Sequence, residues 1–299
     1  MSNISFFEQI RSSRTRQRQL SKVIRFLIAS LLVVFALFPV IWTFSASIDP
    51  ASSLGRQQLI PTNAGFDHYI SLWNSEVFPF PRWLWNSLKV SSISTVLSLF
   101  ITTISAFAFS RFRFKGRQNM LKTILLIQVF PGMLAMIALF AIVQQIGGVP
   151  GFEWLGLNTH AGLILVYMGG AMGINIWLMK GFFDSIPRDI DESAMVDGAT
   201  HWQTFWLLLF PLIRPILVVV AILTFVGTYS DFILARVLLT NTQQYTVMVG
   251  LFIFQSGQFA QAWGPFTAGA LMAAVPIIII YLLLQDQIVG GLTQGAVKG

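Results

Sequence analysis

An all-α, polytopic membrane protein with six transmembrane helices is the fold this sequence predicts, and three observations lead there. Of 299 residues, 55% are hydrophobic and only 10% are charged, against about a quarter charged in soluble domains. The apolar residues gather in runs of roughly 20, the length that crosses about 30 Å of hydrocarbon at ~1.5 Å per residue. The lysines and arginines collect in alternate connections between those runs, the bias that orients a multi-pass chain.

The spans are drawn at about residues 23–46, 85–109, 120–146, 161–180, 204–228 and 265–285. The run from Val23 to Ala46 is longer than the ~7–15 residues of a signal-peptide core and carries Pro39 and Trp42 near its end, so it is read as a first membrane helix and not a cleaved leader. Arg11, Arg14, Arg16, Arg18, Lys22 and Arg25 lie at its start; Arg111, Arg113, Lys115, Arg117 and Lys122 lie around the second connection between spans. Lys180, Arg188 and Arg214 flank the fourth connection, and Lys298 is in the tail. Only Arg56, Arg82, Lys89 and Arg236 fall on the opposite side, so fifteen basic residues against four place both termini in the cytoplasm. The expected organisation is a cytoplasmic segment 1–22, a membrane domain 23–285 and a cytoplasmic tail 286–299.

Composition also removes function classes. There is no cysteine, hence no disulfide, thiol nucleophile or cysteine metal site. The net charge of +7 sits beside apolar runs as orientation signals, so nucleic acid is not an expected partner. His68, His160 and His201 are far apart, no H-E-x-x-H occurs and no P-loop is present, so no catalytic residue, metal ligand or cofactor is expected on this chain. None of the twelve Asp and Glu residues lies near an expected midplane, which disfavours an ion-driven carrier. Energy is expected from outside the chain.

Residues 47–84 contain Pro50, Pro61, Pro79 and Pro81 with Trp73 and Trp83, and residues 229–264 form a second long outer connection. Their aromatics are read as an interfacial belt in preference to a sugar-stacking platform. Pro39, Pro131, Pro211, Pro215 and Pro276 fall in or beside spans, where they bend helices or simply pack. Gln128, Gln144, Asn175 and Tyr167 are polar groups in or near spans, read as helix-to-helix hydrogen bonds before sugar contacts, so no substrate residue is named.

The most informative segment follows the fourth span, from Pro187 to Trp202. Asp189 is expected to cap a short helix whose third residue is Glu192, with Asp191 and Glu192 favouring the positive end of its dipole. Gly198 then permits a bend or a close backbone approach. Ile190, Ala194 and Val196 to Ala199 add small apolar contacts, which suit docking on a soluble partner or lying at the membrane surface.

This stretch resembles the signature of binding-protein-dependent ABC importer permeases: E-A-A, three residues, G, nine residues, I, one residue, L-P. Here Glu192-Ser193-Ala194, Gly198, Leu208 and Phe210-Pro211 keep its spacing, with Ser193, Leu208 and Phe210 as departures. The resemblance implies a type I ABC importer permease fold with a coupling helix at about residues 189–202, which inserts in a groove of an ATPase subunit. ATPase coupling then falls to Glu192, Ser193, Ala194, Asp197, Gly198, Ala199 and Pro211. Phe130-Pro131, Gly156-Leu157-Asn158-Thr159-His160, Asp197-Gly198-Ala199-Thr200 and the ending from Gly291 to Gly299 are similar to the MalG-type subunits of maltose/maltodextrin importers. That implies a tail contact with the ATPase pair through Thr293, Gln294, Gly295 and Lys298, and an outer loop reaching the solute-binding protein at Gln255, Ser256, Gly257 and Gln258. It further implies a MalF-like second permease, a MalK-like ATPase dimer that uses ATP and Mg, and a maltose-like oligosaccharide, trehalose or related glycoside as substrate.

Overall fold

The computed structural model describes residues 14–51, 58–256 and 262–296, and no strand occurs among them. Its helices are α1 (Arg14–Ile48), α2 (Asp67–Trp73), α3 (Phe80–Arg111), α4 (Arg117–Val129), α5 (Gly132–Gly147), α6 (His160–Ser185), α7 (Asp189–Val196), α8 (His201–Leu212), α9 (Arg214–Tyr229), α10 (Ile233–Leu238), α11 (Val247–Leu251) and α12 (Trp263–Ala296). Among the described residues, α1, α3, α6 and α12 each contain a stretch long and apolar enough to cross a membrane, and the bent pairs α4/α5 and α8/α9 bring the total to six.

Two of the expected spans are broken. The third bends by 102° between α4 and α5. Pro131 removes a backbone donor and pushes Phe130 out of helical geometry, to φ −68° and ψ 130°. The fifth bends by 76° between α8 and α9, with Pro215 in the first turn of α9. Just before this bend, Thr204–Leu209 winds as a π-helix, in which Phe210 donates to the carbonyl of Phe205. Pro39 and Pro276, by contrast, lie inside continuous helices. Ends also move: α3 opens at Phe80 with proline in its first turn, where the missing donor is harmless. The last helix runs unbroken to Ala296, through residues assigned to the tail.

The chain divides into two units, residues 1–70 with 261–271 and residues 71–260 with 272–299. In the first, the end of α1 is tied to the segment after it. Ser47 Oγ and Tyr69 OH are 2.7 Å apart, Gly65 N donates to Ile48 O at 3.0 Å, and His68 Nε2 donates to Asp49 O at 3.0 Å. The large apolar side chains of α1 from Leu20 to Val40 are exposed within this chain, as for a helix whose neighbours are lipid or other chains.

In the second unit, α3 packs along α6 and α9. The buried face of α3 includes Ser87, Ser91, Ser94, Ser98 and Thr102 at helical spacing. Small side chains let backbones approach closely where lipid supplies no hydrophobic drive between helices. Toward the α7 end of the unit the packing turns aromatic: Phe107 lies 4.9 Å from Phe205 and 5.9 Å from Phe183 by ring centroids, and all three are buried.

Candidate functional site

Helix α7 begins differently from the sequence expectation. Arg188 already holds helical backbone angles (φ −67°, ψ −23°) and is the N-cap without a side-chain bond, so Asp189 is the first helical residue and not the cap. Asp189, Asp191 and Glu192 all sit in the first turn, where carboxylates favour the helix dipole. The capping box belongs to the next helix. Thr200 Oγ1 accepts from Gln203 N at 3.3 Å, and Gln203 Oε1 accepts from Thr200 N at 2.8 Å.

The end of α7 explains the motif glycine. Ala199 N donates to Ala194 O at 2.9 Å and Gly198 N to Met195 O at 3.1 Å, the paired bonds of a Schellman turn, with Gly198 at φ +88°. A Cβ on Gly198 would meet nothing within 4 Å. Within this chain, then, glycine serves the bend and not a close approach. An L-residue there costs about 1–2 kcal/mol of backbone strain.

The side chains sort by face. Asp191 and Ala194 are buried, Ala199 is half-buried, and Glu192, Ser193, Met195, Val196, Asp197 and Gly198 are exposed, Val196 at 87%. The outcome is a small projecting knob, acidic at one end and apolar at its tip. Pro211 does not join it. It lies in α8 beside the bend at Ile213, where it shapes the fifth span.

Beneath the knob lies a network that sequence reasoning missed. Arg111, the last residue of α3, places Nε 2.5 Å from Asp191 Oδ2, with both side chains largely buried. Its Nη1 donates to Phe183 O at 3.0 Å and its Nη2 to Ile186 O at 3.2 Å, capping the end of α6. Ser110 adds two bonds, donating from Oγ to Asp184 Oδ1 at 2.6 Å and accepting at its carbonyl from Arg188 Nη2 at 2.9 Å. Burial pushes the Asp191 carboxyl above its ordinary pKa, and the Arg111 guanidinium offsets only part of that. Arg111 was read from sequence as an orientation charge; an arginine closing an apolar span was the available signal.

On the opposite end of the second unit, the connection after α9 is packed against the start of α3. Trp83 Nε1 donates to Thr242 O at 2.8 Å, Asn86 Nδ2 to Gln243 O and Tyr245 O at 3.0 Å each, and Val247 N to Ser87 Oγ at 2.7 Å. Trp83 is fully buried and is no part of an interfacial belt; Trp73 is exposed. The Gly156-to-His160 stretch gains a physical account. Asn158, at φ +59°, accepts through Oδ1 from Thr240 N, Thr240 Oγ1 and Asn241 N at 2.5, 2.8 and 2.9 Å. Thr159 caps α6 through Gly162 N, and His160 Nε2 donates to Gln244 O at 2.9 Å.

Of the outer residues singled out, Gln255 and Ser256 close a short 3-10 turn after α11, whose Val247, Val249, Gly250 and Leu251 are buried. The start of the loop expected to reach the binding protein is thus seated on α3. Gly257 and Gln258 lie outside the described residues, as does Lys298; Thr293, Gln294 and Gly295 lie on the last turns of α12. Among the polar span residues, Asn175 Nδ2 donates to Thr224 Oγ1 at 3.0 Å, a helix-to-helix bond, and Tyr167 OH donates at 2.9 Å to Asp231 Oδ1 in the turn between α9 and α10. Gln128 lies over Gly173, and Gln144 is exposed.

Such an arrangement, apolar spans carrying a short helix with an exposed tip at their ends, defines a multi-pass membrane component. The chain belongs to the family of binding-protein-dependent transport system inner membrane components, whose model matches residues 98–289. It is 39% identical over 284 residues to the galactooligosaccharides transport system permease protein GanQ of Bacillus subtilis, covering 95% of this chain and 98% of that one. It is 42% identical over 254 residues to the maltose/maltodextrin transport system permease protein MalG of Vibrio vulnificus, covering 81% and 84%, and 38% identical over 284 residues to MalG of Escherichia coli, covering 91% and 94%. A solved bacterial ABC transporter that imports the acidic polysaccharide alginate has a chain of the same fold, with a TM-score of 0.74 at 23% identity over 92% of this chain and 98% of that one. This protein is therefore an ABC importer permease subunit, a multi-pass and non-catalytic component that works with a binding protein, and ATP hydrolysis belongs to partner subunits.

Proposed function

We propose that this permease carries an oligosaccharide of the maltose/maltodextrin kind, or trehalose or a related glycoside, forming half of the translocation path with a MalF-like permease above a MalK-like ATPase dimer. ATP and Mg bind to that dimer. Support for the substrate class comes from relatives named for maltodextrins and galactooligosaccharides. The observation that carries the coupling role is the exposed knob of α7, held by the Schellman turn at Gly198 and seated on Arg111. In this reading Glu192, Ser193, Met195, Val196 and Asp197 face the ATPase, and Ala194, Gly198 and Ala199 shape the helix that presents them. Thr293, Gln294, Gly295 and Lys298 add a tail contact, and residues around Gln255, Ser256, Gly257 and Gln258 meet the binding protein.

Uptake into vesicles holding the assembled importer and its cognate binding protein tests the substrate class. Labelled maltose, maltotriose, trehalose and a galactooligosaccharide form the panel. Accumulation of at least one of these is expected; uptake only of a non-carbohydrate solute would refute the reading.

Both termini, the Arg111–Arg117 connection and residues 181–203 are assigned to the cytoplasm. The absence of cysteine makes this testable with single introduced thiols. A Cys at position 115 or 190 is expected to resist an impermeant reagent added to intact cells and to react once the membrane is opened. Labelling before opening would invert the topology. A third expectation is that the purified chain alone hydrolyses no ATP, with activity appearing only on addition of the ATPase subunits; turnover by the isolated chain would contradict it.

A further inference from the structure

We infer that Arg111 is the positioning residue that locks the α7 knob to the ends of α3 and α6, so that a push on the knob moves those helix ends as one body. The inference rests on the coupling reading above and deepens it. Three elements meet on one guanidinium: α3 supplies the arginine, α6 presents the carbonyls of Phe183 and Ile186, and α7 presents the Asp191 carboxylate. Arginine suits this junction because its planar fork reaches several acceptors at once from a single rigid plane, which a lysine ammonium does not. Its charge also answers two like demands, the negative end of the α6 dipole and the carboxylate of α7.

The neighbours of Arg111 reinforce the lock. Ser110 holds Asp184 of α6 through its hydroxyl and Arg188 of the α6–α7 turn through its carbonyl. Behind them the rings of Phe107, Phe183 and Phe205 pack against one another, so α3, α6 and α8 share one buried seat under the knob. Asp191 Oδ1 and Arg111 Nε are both buried without a hydrogen-bond partner, so the two side chains are joined by charge at close contact and not by a hydrogen bond. The seat of α7 therefore depends on a buried ion pair, and removing one member leaves the other charge uncompensated. Coupling needs an element that does not yield when pushed. A knob joined to the bundle only by the exposed turns at its two ends would swing without moving a span.

The test uses the assembled importer in nanodiscs, with spin labels on Asp189→Cys of α7 and Val96→Cys of α3. Neither position lies in the Arg111 network, and both are exposed. The distance distribution between them is expected to be the same without nucleotide and after trapping with ADP and vanadate. In Arg111→Gln the distribution is expected to broaden while uptake falls about tenfold or more and ATPase attachment falls by less than about threefold. Arg111→Lys is expected to be intermediate. A distance that shifts between the two states in the otherwise native chain overturns the rigid lock, and so does normal uptake by Arg111→Gln. If Arg111→Gln fails to assemble, Arg111→Lys takes its place, and an unbroadened distribution with normal uptake in that variant overturns the proposal. Failure of the coupling reading is read separately, from the Gly198 variant described below, because Gly198 lies outside the lock, whereas the Glu192 carboxylate acts electrostatically on Asp191.

Discussion

Glu192→Lys and Gly198→Val are expected to reach the membrane in normal amount, to lose most of the attached ATPase, and to abolish uptake. The two act by different physics. Glu192 is exposed in the first turn of α7, so its replacement by lysine reverses charge on the proposed docking face and puts a cation at the positive end of the helix dipole. Gly198 sits at φ +88° with open space around it, so valine collides with no neighbour in this chain. It must instead hold a β-branched residue in the left-handed region, at about 1–2 kcal/mol or more, or unwind the turn that shapes the knob. Neither change touches the packing of the spans, so insertion is preserved. The control is Asp67→Lys, an exposed site in the first turn of α2, which the proposed topology puts outside the cell. Quantifying ATPase co-purified with each variant, beside uptake, separates lost docking from lost expression. Normal attachment and uptake in both variants would remove the coupling assignment.

The second large effect concerns stability. A Cβ added to Gly250 would lie 2.1 Å from Trp83 Cε3, and Trp83 is fully buried with its Nε1 bonded to Thr242 O. The ring cannot yield without giving up that bond, so Gly250→Val should cost about 1–3 kcal/mol, occasionally more. Trp83→Ala, which opens a cavity and strands the Thr242 carbonyl, should cost about 3–5 kcal/mol. Both are expected to lower the midpoint of thermal unfolding in detergent and to expose the 240–251 segment to protease. Gln243→Ala is the comparison, because the bond from Asn86 goes to its backbone carbonyl and its side chain is exposed. A Gly250→Val protein as stable as that control would contradict the packing described.

What could be read from sequence follows from the range of each interaction. Spans were legible because a run of about 20 apolar residues is a local signal set by membrane thickness. Bends were half legible: Pro131 and Pro215 announce a break, but its angle depends on what packs alongside. The need for glycine at 198 was legible from motif spacing, and its reason, a Schellman turn with open surroundings, required coordinates. Asp189 was misread because a cap and a first-turn residue differ only in whether Arg188 is already helical. Trp83 and the Arg111–Asp191 pair were illegible for a common reason. Their partners lie far along the chain, and an aromatic or basic residue at a span end has an ordinary explanation at the headgroup level.

The central claim is that the exposed tip of α7 touches the ATPase, and a single thiol tests it most directly. Val196→Cys is the sole cysteine in the chain and sits at the most exposed apolar point of the knob. In the assembled importer, a short thiol-to-amine crosslinker at this position is predicted to give one adduct of permease plus ATPase subunit, and Asn241→Cys on the opposite end to give none. An importer that crosslinks to the ATPase from position 241, or not at all from position 196 while transporting normally, would contradict the account.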